Sequence, residues 1–200
     1  MTTYHPKTEL SGGYSGLKHT AKQIAEYLPN SKIYVEPFAG LGRVGKYSKS
    51  KIKIFNDMSD YAIHELRKIF PSSIIIQMDF EECIRLHDSL DTFFLIDPPW
   101  RKPIYDNDKS FIDRTPKEYY EKIMDILPTL KGDWFLCSSL AERGLNKILS
   151  KSGYPMIDIK GTWMICGKPV TLKMISNKPF IRSIEHQQIS ITVTMESCGK

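Results

Sequence analysis

The segment FFLIDPPW, residues 93–100, runs four apolar residues into a carboxylate, two prolines and a tryptophan. This combination suits work on a planar amine. The Asp97 carboxylate can accept one amino hydrogen and the Pro98 carbonyl the other. Pro98 and Pro99 hold the backbone in one conformation and add no N–H that would compete for those acceptors. Two acceptors that draw the hydrogens out of the ring plane stop the nitrogen lone pair from conjugating, so a poor nucleophile becomes able to attack. Trp100 can stack on the base that carries the amine. The plainer alternative is a rigid turn after a strand, with Trp100 in the core, because Asp-Pro is frequent in turns.

A second constellation lies upstream. EPFAGLGRVG, residues 36–45, contains a formal G-x-G-x-x-G at Gly40, Gly42 and Gly45. Glycines there let backbone amides at a helix start approach a ligand closely. Asp57 follows a second apolar run and can accept both hydroxyls of a ribose. Asp79 and Phe80 follow a third, offering an acceptor and an apolar face to an adenine. Together they describe an adenosine site. Singly, Asp57 and Asp79 read equally well as helix caps, and the glycines as a tight turn.

These residues must be held at the ends of strands, and the apolar periodicity predicts them. Strands are expected at 32–38, 51–57, 73–80, 92–99 and 133–139. Helices are expected at 20–28, 60–70, 81–90, 116–130 and 141–153, and residues 156–176 alternate like a hairpin. Strands alternating with helices imply an α/β protein with a mostly parallel, doubly wound sheet, and the hairpin adds an antiparallel edge near the C-terminus. Ligands of such sheets bind outside the carboxyl ends of the strands, where all four motifs fall. The expected organisation is one domain over 1–182 and a polar tail over 183–200.

The 200 residues carry a net charge of +5, unevenly spread. Residues 7–53 hold nine Lys/Arg against three acids, and 143–182 eight against one, whereas 54–142 hold 17 acids against ten bases. Basic ends around an acidic middle could rim a carboxylate-containing site and favour a polyanion. Cys83, Cys137, Cys166 and Cys198 are scattered without a C-x-x-C pair, so neither a zinc site nor a disulfide framework is suggested. No run is long enough to span a membrane, and the first ten residues lack the apolar stretch of a signal peptide, so a cytoplasmic location without membrane association is expected.

EPFAGLG (36–42), NDMS (56–59), MDF (78–80) and DPPW (97–100), in that order, resemble the Dam-like class of S-adenosylmethionine-dependent DNA adenine methyltransferases. The resemblance spans residues 10–176. It implies a Rossmann-like methyltransferase fold and S-adenosyl-L-methionine as cofactor. It puts the cofactor loop on Glu36, Pro37, Phe38, Ala39, Gly40 and Gly42, the ribose acid on Asp57, the adenine contacts on Asp79 and Phe80, and the catalytic tetrad on Asp97, Pro98, Pro99 and Trp100. The family's N-terminal Gly-Gly-Lys is here SGGYSGLK, with Tyr14 at the lysine position and Lys18 as a substitute. Trp100 replaces the usual Tyr or Phe and is similar to the DPPW of RNA adenine methyltransferases. Only 17 residues separate Asp79 from Asp97, so the family's target-recognition insertion is absent there.

The expected activity is methyl transfer to the exocyclic amine of adenine in DNA. RNA with the same chemistry is the alternative, and a non-catalytic adenosine-binding subunit is a third reading that Asp97 argues against. Arg101 and Lys102, opening the long loop 101–116, and Lys160, Lys168 and Lys173 on the hairpin are candidate phosphate contacts. The chain is expected to act as a monomer, with a partner subunit for specificity as an option.

Overall fold

The computed structural model describes residues 20–99, 116–139, 151–162 and 169–182. Seven strands form one sheet: β1 (Ile33–Glu36), β2 (Ile52–Asn56), β3 (Ile74–Ile76), β4 (Thr92–Ile96), β5 (Asp133–Ser139), β6 (Met156–Thr162) and β7 (Pro169–Ser176). Their order across the sheet is β3-β2-β1-β4-β5-β7-β6. β1 to β5 are parallel, and β7 is antiparallel to both β5 and β6. The doubly wound sheet with an antiparallel edge hairpin is the architecture expected from the sequence.

The central strands are apolar because both faces are covered. All five residues of β4 are buried. Val35, Phe94, Ile96, Trp134 and Leu136 pack on one face with α3 (Phe80–His87) and α4 (Pro116–Ile126). Tyr34, Phe93, Leu95, Phe135 and Cys137 alternate onto the other face with α1 (Ala21–Ala25) and α2 (Asp60–Ile69). Side chains on neighbouring positions therefore belong to different layers, a period of two that the sequence displays.

α2 starts where Ser59 accepts a hydrogen bond from the Ala62 amide, and it stops before Pro71. Its C-terminal Phe70 stacks on Phe55 of β2 with ring centroids 4.4 Å apart. Elements are shorter than the periodicity suggests. The third strand covers three residues rather than eight, and the first helix five rather than nine.

One expectation fails outright. No α-helix starts at the glycine motif: residues 41–44 form turns, followed by a single 3-10 turn at Gly45–Tyr47. The reason is visible in the hydrogen bonds. Gly42 N–H bonds back to Ala39 O at 2.8 Å, and Gly40 and Gly42 take positive φ of 53° and 60°, so the chain curls too tightly to propagate a helix. The helix expected at 141–153 lies largely outside the described residues, as does the tail from 183. No described helix is long and apolar enough to cross a membrane.

Candidate active site

β1 pairs with β2 on one side and β4 on the other, so the chain winds outward in opposite directions from this central pair. The crevice at the carboxyl ends of β1 and β4 is the topological switch point, where open α/β sheets bind their ligands. Glu36 ends β1, and Asp97 follows the last residue of β4. The fold thus brings the cofactor-loop motif and the DPP motif to one edge.

The loop after β1 is pinned to the end of β2. Asp57 is 8% exposed, and its Oδ2 accepts the Gly40 amide at 2.8 Å. Its Oδ1 accepts the Ser59 amide at 2.9 Å. Ala39 N–H bonds to Asn56 O at 2.8 Å. Asn56, buried at the end of β2, ties three strands together: Nδ2 donates to Pro37 O at 2.9 Å and to Met78 O at 3.0 Å, and Oδ1 accepts the Met78 amide at 2.9 Å. Asn56 was not singled out by sequence reasoning, although an amide side chain ending an apolar strand is the type of residue that makes such bridges.

Glycine is required at two positions here for packing. A Cβ on Gly42 would lie 2.6 Å from the Phe70 ring, and one on Gly45 would lie 2.7 Å from Glu36 Oε1. Neither glycine needs a ligand to explain it.

Glu36 is 3% exposed, and its carboxyl faces the layer beneath the loop. The Tyr34 hydroxyl donates to Oε1 at 2.6 Å, and the Gly45 amide also donates to the carboxyl. Lys53 approaches from β2, its Nζ donating to Gly45 O at 3.0 Å. Burial outweighs these partners and pushes the Glu36 carboxyl up to about 8. Pro37 and Ala39 are buried in the same turn.

Asp79 caps α3, its Oδ1 accepting the Glu81 amide at 2.9 Å. Phe80 is 2% exposed, so its ring is a core member rather than a surface offered to an adenine. The aromatic face left half-buried at this edge is that of Phe38, 4.8 Å from the Phe80 ring and 5.7 Å from Tyr119 by centroids.

Asp97 is half-buried beyond the end of β4. Its Oδ1 is buried and finds no hydrogen-bond partner among the described residues. Burial, and secondarily the charge of Glu36, push its carboxyl well above the ordinary range. Pro98 is buried and Pro99 half-buried behind it. Cys137 of β5 shares the cluster: burial raises its thiol, and the charges of Asp97 and Glu36 add to that. An orphaned buried acceptor costs about 1–3 kcal/mol, so this oxygen calls for a donor from outside the described residues. Trp100, Arg101, Lys102, Tyr14 and Lys18 lie outside the described residues.

The hairpin reaches the same edge. Ser139, which ends β5, is opposite Leu172, and Pro169 and Thr162 pair beyond it. Lys160 is exposed opposite Thr171. Lys173 is paired: its Nζ is 2.8 Å from Asp158 Oδ1 across the hairpin. Lys168 lies outside the described residues.

No family model matches the chain, and no curated protein matches it in sequence. Solved structures do match in fold. TrmK of M. capricolum, in complex with S-adenosyl-homocysteine, is 13% identical with a TM-score of 0.54, over 84% of this chain and 73% of that one. An rRNA methylase from Streptococcus thermophilus is 13% identical with a TM-score of 0.50, over 89% of this chain and 100% of that one. The Pyrococcus abyssi tRNA (uracil-54, C5)-methyltransferase, in complex with S-adenosyl-L-homocysteine, is 13% identical with a TM-score of 0.52, over 78% of this chain and 36% of that one. The seven-stranded sheet, with its strand order and antiparallel edge, is the Rossmann-like methyltransferase fold.

Proposed function

We propose that this protein transfers a methyl group from S-adenosylmethionine to the exocyclic amine of adenine in nucleic acid, with DNA as the first substrate. The observation that carries the reading is the buried Oδ1 of Asp97 at the switch point, which has no hydrogen-bond partner among the described residues and is followed at once by two prolines. It supplies an acceptor where a planar amine would find one and leaves no adjacent N–H to occupy it. When bound, the cofactor supplies an electrophilic methyl group on a sulfonium. Asp57 and Gly40 hold the turn on which its ribose would rest, and Phe38 offers an aromatic face beside it. Asp97 and the Pro98 carbonyl orient the amine and accept its hydrogens, and its proton leaves through Asp97 or water.

DNA is placed first by the resemblance of EPFAGLG and DPPW to the Dam-like class. RNA is a second reading with its own support. The stretch between Asp79 and Asp97 holds α3 and no recognition insertion. Two of the solved neighbours are named for action on tRNA or rRNA. The purified chain should be incubated with labelled S-adenosylmethionine and duplex DNA, single-stranded DNA or RNA, and the digested nucleosides identified. Methylated adenine from a DNA substrate supports the first reading, and from RNA alone the second. Label on another base overturns both.

A further inference from the structure

Between β1 and β2 the chain returns without an α-helix, along the face of the sheet that packs Val44 and Phe55. Near the carboxyl ends of the strands, Gly45 packs on Phe55 and the Glu36 carboxyl. Near the amino ends, the Ser50 hydroxyl lies 2.9 Å from that of Ser31, just before β1. Residues 45–51 therefore lead away from the edge that holds Asp97. After the 3-10 turn Gly45–Tyr47, Ser48 is extended, with φ −62° and ψ 135°. Ser48 and Ser50 turn inward, 8% and 7% exposed, with their hydroxyls 3.1 Å apart. Tyr47, Lys49 and Lys51 alternate with them and are exposed. Alternate side chains of an extended chain stand about 6–7 Å apart on one side, the scale on which a stretched nucleotide backbone repeats its phosphates.

The charge of this segment is all of one sign. Residues 43–53 contain Arg43, Lys46, Lys49, Lys51 and Lys53 and no acid. Lys53 is engaged inward, on Gly45 O, and Arg43 is half-buried. Lys46 and Lys51 form no ion pair among the described residues, unlike Lys32, Lys68 and Lys178. The Lys46 ammonium instead sits 4.7 Å from the centroid of the Tyr47 ring, which is 40% exposed and stacks on no other ring among the described residues. We propose that the row Lys46, Tyr47, Lys49 and Lys51 is a track for a single strand of nucleic acid, held by its phosphates on the lysines and by a base stacked on Tyr47. The proposal rests on the nucleic-acid reading above and says where the substrate strand runs once it leaves the active site. One row of cations matches one backbone, whereas a duplex presents two and keeps its bases stacked on each other. The cation beside Tyr47 steadies the ring and adds to its hold on a base that lies next to it. Phosphates and base faces are common to every sequence, so the track is permissive.

The test is a fluorescence-anisotropy titration of the full chain against labelled oligothymidine over a range of salt, beside a duplex of equal length. The single strand should bind more tightly than the duplex. Lys46→Ala, Lys49→Ala and Lys51→Ala combined should flatten the salt slope by about two. Lys178→Ala, which removes a paired cation elsewhere, should leave the slope unchanged. Tyr47→Ala should weaken binding by about 5- to 150-fold, and Tyr47→Phe, which keeps the ring, should bind like wild type. Oligouridine should bind within about tenfold of oligothymidine, because neither contact reads the sugar; stronger discrimination contradicts the contacts proposed. S-adenosylmethionine affinity should be the same in every variant. A wild-type salt slope in the triple variant, or an unchanged affinity in Tyr47→Ala, overturns the track and leaves the methyl-transfer reading standing. Failure of wild type to bind any oligonucleotide at low salt overturns the track and the nucleic-acid reading together. Tighter binding of the duplex by wild type overturns the track even where a variant does not fold.

Discussion

The Gly40 amide donates to Asp57 Oδ2 at 2.8 Å, across the gap between the turn after β1 and the end of β2. The other oxygen of the same carboxylate holds the Ser59 amide, at the start of α2. Asp57 therefore fixes the loop conformation before any ligand arrives, and a ribose would meet a carboxylate already locked in orientation. Asp57→Ala should weaken S-adenosylmethionine binding by about 1–3 kcal/mol, the cost of donors left unpaired, and should also lower the melting temperature. Calorimetry and a thermal melt on the same variant check both, and an unchanged affinity would move the ribose elsewhere.

Asn56 makes a second prediction, about stability alone. Its side chain joins Pro37, Met78 and its own strand through three hydrogen bonds. Asn56→Ala strands all three backbone groups at the edge of the site and should cost about 2–4 kcal/mol in denaturant unfolding. A loss below the cost of one ordinary hydrogen bond would mean that the strand ends hold together without it.

Glu36 gives stability a pH dependence of definite sign. Its carboxyl lies near 8 in the folded protein, pushed up from 4.5 by burial. Between those values the folded state keeps a proton that the unfolded chain gives up. Its contribution to stability is thus fully present below the lower value and is lost as pH rises through the window, by about 1.4 kcal/mol per pH unit. Asp97 acts in the same direction. Glu36→Gln should flatten the fall in part, leaving the portion due to Asp97. Urea unfolding at several pH values measures this, and parallel pH profiles for variant and wild type would contradict it.

The hairpin lysines should separate. Lys160 is exposed near the carboxyl edge, whereas Lys173 is paired with Asp158. Lys160→Ala should weaken binding to every nucleic-acid sequence alike and reduce the salt slope by about one. Lys173→Ala frees a carboxylate as well as removing a cation, so it should weaken binding without the same fall in slope. A salt titration of both variants tests this, and equal slopes in wild type and Lys160→Ala would exclude that face.

The fold was legible because its signals are strong: apolar runs ending in carboxylates, a helix stopped by Pro71, and alternation in the hairpin. The placement of Asp97 at a strand end was legible for the same reason. What the sequence hid was which way a polar group turns. G-x-G-x-x-G reads as a helix start, but the Ala39–Gly42 hydrogen bond closes a turn instead. Asp79 and Phe80 read as a ligand clamp, and the sequence did not show that one Asp79 oxygen also caps Glu81 and that the Phe80 ring packs under Phe38. Glu36 reads as a strand-end residue facing a ligand, and its inward hydrogen bond to Tyr34 depends on two residues sharing a strand face. Neighbouring strands decide these choices, and their register is not written in a local motif.

Asp97→Ala tests the central claim most directly, with methylated adenine counted after incubation with S-adenosylmethionine and nucleic acid. The substitution removes the carboxylate assigned to the amine while leaving the Gly40–Asp57 turn intact. Methyl transfer should be abolished in the variant, with cofactor affinity within a few fold of wild type, because the loss falls on the chemical step. Methylation of adenine by the variant at the wild-type rate would contradict the account.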